Sequence, residues 1–275
     1  MTDDKNMMVN KTVWKDYRNN ILVDKDNPVL AFKANRDRYF INGKQNAYAG
    51  LPHIASIRSE DAITWNVIRR LSLYNDFAPI GQLIDLELSN LKVLLWTLSF
   101  DENSKELQYK VGSTIRRIDG QYKGQITEPD IIIETDSYFI VFECKLGERD
   151  KYPSHLWENA KNSKGPKTRE NDYFKDKLFT GNSGYYSDSY QLFRMVFYAN
   201  EIANKLNKKA LFVSLTNKTW WNKEKKGTPS PHSIWENFKK QVNPEKVELK
   251  SIFWQDLNIK DKALSSYIKD HKCLY

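Results

Sequence analysis

Residues 129–146 read PDIIIETDSYFIVFECKL, and this stretch decides the predicted fold. Two runs of β-branched and aromatic residues stand on either side of a tight polar turn at Thr135 and Asp136. Runs of this kind joined by so short a turn predict an antiparallel hairpin. We therefore expect one strand at 129–135 and the next at 137–146.

The second predicted strand carries charged side chains in an otherwise apolar run. Because side chains alternate along a strand, Phe139, Val141, Glu143 and Lys145 share one face. Charges on such a face are costly unless they are paired or bind a metal, although a surface ion pair on an edge strand would give the same pattern. Glu143 and Lys145 are therefore a candidate site.

Pairing of the two strands can also bring Asp130 close to Glu143. Two neighbouring carboxylates repel each other unless a hard divalent cation lies between them, and Mg²⁺ and Mn²⁺ prefer such oxygen ligands. The adjacent Lys145 can orient or help to deprotonate a metal-bound water, while the metal polarises a phosphoryl oxygen. These residue types therefore point to metal-assisted hydrolysis.

Helices and further strands are predicted on both sides of the hairpin. Ser59 is expected to cap a helix in which Glu60 is in register with the apolar positions Ile63, Val67 and Leu71. The segment 84–100 is open between helix and strand, and 147–184 is expected to form a long surface loop. The remaining predicted elements are a strand at 107–111, a helix from 188 to near 207, a strand at 208–216, a helix around 234–241 and a strand near 247–254.

The order of these elements predicts an α/β fold in which helices flank a mixed sheet. The chain has no internal repeat, which favours a single domain over residues 1–275 with a core at about 57–216. Residues 1–56, polar and irregular over their first fifty positions, are expected to form an N-terminal extension. Residues 217–275 are expected to form a C-terminal addition.

Pro129 and Asp130, followed by Glu143, Cys144 and Lys145, form a pattern that resembles the PD-(D/E)XK nuclease superfamily, which has the restriction-endonuclease-like fold. The resemblance covers about residues 57–216 and implies the core order α-β-β-β-α-β. It implies that Asp130 and Glu143 are metal ligands and that Lys145 is the catalytic lysine. The backbone carbonyl of Cys144 would complete the metal shell.

Two flanking helices are similar to helices of the same superfamily. The helix before the sheet often supplies an acid, here Glu60, although the helix dipole alone favours an acid in a first turn. Some relatives carry a glutamine and a tyrosine on the later helix, and Gln191 and Tyr198 are similar at a wider spacing. Arg194 shares their face, so these residues are candidates for shaping the site or contacting nucleic acid, unless they are the polar stripe of a packed helix.

Charge and aromatic content favour a polyanionic partner such as nucleic acid. The chain carries a formal net charge of +8, and 13% of its residues are aromatic. The basic loop at 217–226 combines phosphate-binding charges with rings that could stack on bases, and a second Lys-rich loop spans 158–177. The alternative is ordinary solvated charge. The candidate contacts in the first loop are Lys218, Trp220, Trp221 and Lys223.

Composition also bounds the class and the location of the protein. With 40% hydrophobic and 28% charged residues, the disordered, collagen-like and coiled-coil classes are excluded. The two cysteines, Cys144 and Cys273, are too few for a disulfide framework and favour a reducing compartment. No apolar run approaches the length of a membrane span, and the start has no apolar signal core, so we expect a cytoplasmic protein without a membrane partner.

Together these features predict a Mg²⁺-dependent endonuclease that acts on double-stranded DNA, with Mn²⁺ able to substitute. A double-strand cut by a chain with one site favours a homodimer. Analogy with the superfamily suggests a role in prokaryotic restriction or antiphage defence. An RNA-cleaving toxin with the same site and an inactive nucleic-acid-binding scaffold of the same fold are the alternatives, and no residue pattern identifies an activating partner.

Overall fold

The computed structural model describes residues 8–38, 48–119, 128–146, 177–180, 186–224 and 229–270, with the backbone alone at 186–190 and 270. Contacts within the chain divide it into two compact units. One is formed by residues 1–87 with 254–275, and the other by residues 88–253. The predicted hairpin lies in the second unit. No helix in these ranges is long and apolar enough to cross a membrane.

The first unit contains short strands and helices. The prediction of an irregular N-terminal region is wrong for helix α1 (Pro28–Arg36), where the Asn27 side chain accepts the Val29 N–H at 3.0 Å and Pro28 takes the first helical position. The elements of the first unit are β1 (Met8–Val9), β2 (Val13–Trp14), α1 (Pro28–Arg36), α2 (Glu60–Tyr74), α3 (Ala78–Ile84), the C-terminal helix Lys262–Asp270, and single 3-10 turns at Tyr17–Asn20, His53–Ala55 and Trp254–Asp256.

Helix α2 confirms the predicted helix and its cap. The Ser59 hydroxyl accepts the Ala62 N–H at 3.2 Å, and acidic residues occupy the first turn, where the helix dipole favours them. The helix ends at Asn75, which adopts the left-handed conformation with φ of 49°. The predicted apolar stripe is buried at Ile63, Val67 and Leu71.

The second unit is built on a six-stranded mixed sheet flanked by helices. Its elements are β3 (Lys92–Leu95), β4 (Leu98–Ser99), α4 (Lys105–Asp119), β5 (Ile131–Glu134), β6 (Tyr138–Lys145), α5 (Tyr186–Leu206), β7 (Lys209–Thr216), α6 (Lys218–Trp221), α7 (Pro231–Lys239) and β8 (Val247–Phe253). The strands are in the order β4-β3-β5-β6-β7-β8. The first four strands of this order pair antiparallel, whereas β6, β7 and β8 run parallel.

Most predicted elements of this unit are confirmed. The hairpin is β5 and β6, joined in the register Ile131 to Phe142. The long helix near 188–207 is α5, and the strand at 208–216 is β7. The sheet continues past the predicted core limit of 216, because β8 pairs with β7. Only 177–180 of the expected loop at 147–184 belongs to the described residues.

The predicted strand at 107–111 is wrong, because this segment lies inside helix α4. Leu107, Val111, Ile115 and Ile118 are all buried, and their spacing is that of one helix face. A segment of five residues is too short to show whether its apolar positions repeat with the period of a strand or with that of a helix. The remaining antiparallel strand of the core is instead β3, which comes from the open segment 84–100.

Helices α4 and α5 pack on one face of the sheet. The core there combines strand residues such as Ile132, Phe139, Val141 and Phe212 with residues of α4, α5 and α7. Because side chains alternate, this face of β6 continues from Val141 to Glu143 and Lys145. The two charged residues therefore project from the sheet toward the side on which α5 lies.

Candidate active site

Asp130 and Glu143 lie opposite each other at the open end of the hairpin. Extending the pairing of Ile131 with Phe142 by one residue places them as direct partners. The Asp130 carbonyl accepts the Trp96 N–H at 3.1 Å, and its carboxylate oxygen Oδ2 accepts the Cys144 N–H at 2.7 Å. Directly opposed residues point to the same face, so the two carboxylates belong to one site.

Glu143 is almost fully buried, with 1% of its surface exposed. Its Oε1 atom lies 2.7 Å from the Lys145 ammonium nitrogen and also accepts a hydrogen bond from the Gln191 side-chain amide on α5. Lys145 is 7% exposed. An ammonium and an amide that contact the same oxygen fix the orientation of a buried carboxylate. The structure thus brings Asp130, Glu143, Lys145 and Gln191 together, while their chemical roles stay predictions.

The neighbouring strand β7 adds two hydroxyl residues to this face. In the parallel register, Ser214 is the partner of Glu143 and Thr216 is the partner of Lys145. Both hydroxyl residues are fully buried. The residue pattern of β7 contained a signal for them, since Ser214 and Thr216 alternate in a run that is otherwise apolar.

The donor set fits a Mg²⁺ ion. Such an ion binds through one or two protein carboxylates and keeps several waters, and Asp130 with Glu143 supplies two carboxylates. The Cys144 thiol is buried on the other face of β6, so only the backbone of this residue is available to the site. Within the described ranges, no three His, Cys, Asp or Glu side chains form a group that could hold a metal. Further ligands would come from a backbone carbonyl, water and phosphate.

Glu60, the other predicted acid, belongs to the first unit. It is partly buried in the first turn of α2. Its role as a further metal ligand stays a prediction.

Comparison with known proteins assigns the chain. A family model described as Restriction Endonuclease associating with ARP matches residues 10–270. The chain belongs to this restriction endonuclease family. Searches of curated proteins and of solved structures found no significant match. Membership of the restriction endonuclease family, together with the mixed six-stranded sheet flanked by helices, confirms the resemblance and the restriction-endonuclease-like fold class.

Two residues expected to contact nucleic acid in this nuclease are interior. Arg194 and Tyr198 both have 0% of their surface exposed. The Arg194 guanidinium donates to the Asp119 carboxylate and, through Nε, to the Tyr198 hydroxyl at 2.7 Å, and that hydroxyl donates to Asp119 at 2.7 Å. We therefore withdraw the nucleic-acid contact for both, because they join α5 to the end of α4.

The two tryptophans of α6 are a second correction. Trp220 and Trp221 are each 7% exposed, and the Trp221 ring packs against Trp235 and Phe253 at centroid distances of 6.5 and 5.4 Å. Rings held in the core in this way cannot stack on bases. The lysines of the same segment, Lys218 and Lys223, are exposed and stay candidate phosphate contacts.

Asp119 was missed by sequence reasoning. It ends α4, the segment that was predicted in part as a strand, and it is 3% exposed. No local pattern marks an acid that becomes buried only when two helices pack.

Proposed function

We propose that this restriction endonuclease is a Mg²⁺-dependent enzyme that cleaves DNA, with Mn²⁺ able to substitute. One observation carries the proposal. Asp130 and Glu143 are opposed on one face of the hairpin, with the Lys145 ammonium 2.7 Å from the Glu143 carboxylate. A carboxylate pair beside an amine suits hydrolysis of a phosphodiester, because the site can carry both a cation and the charge that develops on phosphate.

Each residue of the site has a separate task in this proposal. Asp130 and Glu143 would hold the ion together with the Cys144 carbonyl, and the bound ion would polarise the phosphate and acidify a water. Lys145 orients the attacking water and offsets the negative charge of the phosphate. Gln191 keeps the Glu143 carboxylate in its orientation through the hydrogen bond to Oε1.

The family description also supports the proposed partners. Restriction endonucleases act on DNA, and we propose double-stranded DNA as the substrate, cut by a homodimer because each chain supplies one site. The family description, in which the endonuclease associates with ARP, supports a further partner. A cytoplasmic role in restriction or antiphage defence is part of the same proposal.

The test is cleavage of plasmid DNA, single-stranded DNA and RNA in the presence of Mg²⁺, Mn²⁺ or EDTA. We expect the wild-type chain to cut plasmid DNA with either ion and not with EDTA. Glu143→Ala and Lys145→Ala are expected to lose cleavage. The matched controls are Glu102→Ala and Lys105→Ala. Lys105 is the first residue of α4, and it forms an exposed ion pair with Glu102 just before the helix, so both variants should cut at the wild-type rate.

Three results would contradict the proposal. Cleavage of RNA alone would identify an RNase with the same site. Normal cutting by Lys145→Ala would remove the assigned lysine. An inactive wild-type chain that also shows no Mn²⁺ binding by calorimetry would favour a scaffold without catalysis.

A further inference from the structure

Thr216 ends strand β7, and its hydroxyl is buried on the face of the sheet that carries Glu143 and Lys145. The residue is 0% exposed, and its Oγ1 atom makes no hydrogen bond within the described part of the chain. A buried hydroxyl without a partner is destabilising, and a valine would fill the same space without that cost. An oxygen retained at such a position needs a reason outside packing.

The register of the sheet places this hydroxyl residue at the candidate site. Thr216 is the direct partner of Lys145 in the parallel pairing of β6 and β7, and neighbouring strands lie about 4.8 Å apart. Partners in a parallel pair lie on the same face, so Thr216 stands beside the lysine whose ammonium contacts Glu143. The Thr216 and Lys145 side chains therefore leave the same face of the sheet next to each other.

The chemistry of the two neighbours indicates which ligand they can bind together. An ammonium donates hydrogen bonds only, and a hydroxyl without an acceptor has a hydrogen to donate. A ligand with two neighbouring acceptor oxygens and a negative charge can accept a hydrogen bond from both groups. The non-bridging oxygens of a phosphodiester meet these conditions.

We propose that the Thr216 hydroxyl donates a hydrogen bond to a non-bridging oxygen of the phosphate that is cleaved, beside Lys145. The assignment rests on the proposed nuclease function. Thr216 is then a substrate-contacting residue, and its hydrogen bond strengthens as negative charge develops on that oxygen.

The experiment compares Thr216→Val, which keeps the shape and removes the hydroxyl, with Thr216→Ser, which keeps the hydroxyl. Both kcat and KM are measured on a labelled DNA duplex with Mg²⁺, and Tm is measured for each protein. We expect Thr216→Val to lose about 10- to 100-fold in kcat/KM, mostly in kcat, with an unchanged or higher Tm. Thr216→Ser should cut within about threefold of wild type.

Thr114→Val is the matched control. This buried hydroxyl on α4 donates to the Lys110 carbonyl at 2.8 Å and accepts from the Lys205 ammonium at 3.1 Å, so its loss should lower Tm and leave kcat unchanged. Thr216→Val that cuts at the wild-type rate would overturn the inference while the nuclease function stands. A loss of activity accompanied by a drop in Tm like that of the control would also overturn it. An inactive wild-type chain would instead refute the nuclease function.

Discussion

At the scale of single residues, the candidate site depends on Glu143. It is one of two charged residues, with Lys145, in a strand whose other buried positions are mostly Phe, Ile and Val, and it is 1% exposed. Desolvation of a carboxylate at such a position is costly, and Lys145 and Gln191 offset that cost through contacts with Oε1. The structure therefore holds a charge in place where packing alone would favour an apolar side chain.

Gln191→Leu tests how far this orientation matters. Loss of the amide removes a hydrogen bond to a charged group, and we expect kcat to fall about tenfold, or roughly 1.4 kcal/mol in the barrier. Because Gln191 acts through Glu143, the Mg²⁺ concentration for half-maximal cutting should rise as well. Both values come from a Mg²⁺ titration of the cleavage rate.

The matched control is Gln108→Leu. The Gln108 side chain on α4 accepts the N–H of Ser99 in β4 at 2.7 Å. It should alter neither the cleavage rate nor the Mg²⁺ requirement. A Gln191→Leu protein with the wild-type Mg²⁺ titration would show that the amide has no part in the site.

At the scale of elements, α4 and α5 are joined by the buried group Asp119, Arg194 and Tyr198. Burial raises the pKa of the Tyr198 hydroxyl well above its usual range, and the nearby Asp119 charge raises it further against the opposing effect of Arg194. The phenol therefore stays protonated at neutral pH and donates to Asp119. Since α5 also carries Gln191, this group anchors the helix that touches the site.

Arg194→Met should destabilise the protein by about 3–5 kcal/mol, because it leaves the Asp119 charge buried without its cation. Urea unfolding of the variant measures the free energy of unfolding. The double variant Asp119→Leu with Arg194→Met removes both charges and is expected to regain most of the loss. If the double variant loses as much free energy of unfolding as the two single variants together, the two charges are not coupled.

At the scale of the whole molecule, the family match over residues 10–270 extends across both compact units. The formal net charge of +8 is the sum over the whole chain. Of the predicted contacts in the 217–226 loop, the structure leaves Lys218 and Lys223 exposed and buries the tryptophans beside them. Attraction between this segment and DNA should therefore be electrostatic, without base stacking.

Binding to a DNA duplex should weaken as salt increases. Each phosphate contact adds about 0.9 to the slope of log K against log salt, so replacing Lys218 and Lys223 by Gln should reduce the slope by roughly two. Fluorescence anisotropy over a KCl series with EDTA measures it. Lys239→Gln with Lys240→Gln, two exposed lysines at the end of α7, is the control and should leave the slope unchanged. An unchanged slope in the first variant would exclude both lysines from the interface.

The amino-acid sequence by itself determined the β5–β6 hairpin, the placement of Glu143 beside Lys145, the capped helix α2 and the long helix α5. Each of these depends on periodicity or capping within a few adjacent residues, and such local preferences act before distant contacts form. The family resemblance also rested on local residues, since its motif lies within 129–145.

Only the tertiary structure decided which of the remaining patterns face the core. Segment 107–111 is helical because its apolar residues pack on the sheet together with those of the next two turns, beyond the five residues that suggested a strand. Strand order, which places Thr216 beside Lys145, is set by pairing between residues 71 positions apart. Burial likewise depends on contacts between distant elements. Four residues that were expected to contact nucleic acid are buried for this reason: Arg194, Tyr198, Trp220 and Trp221.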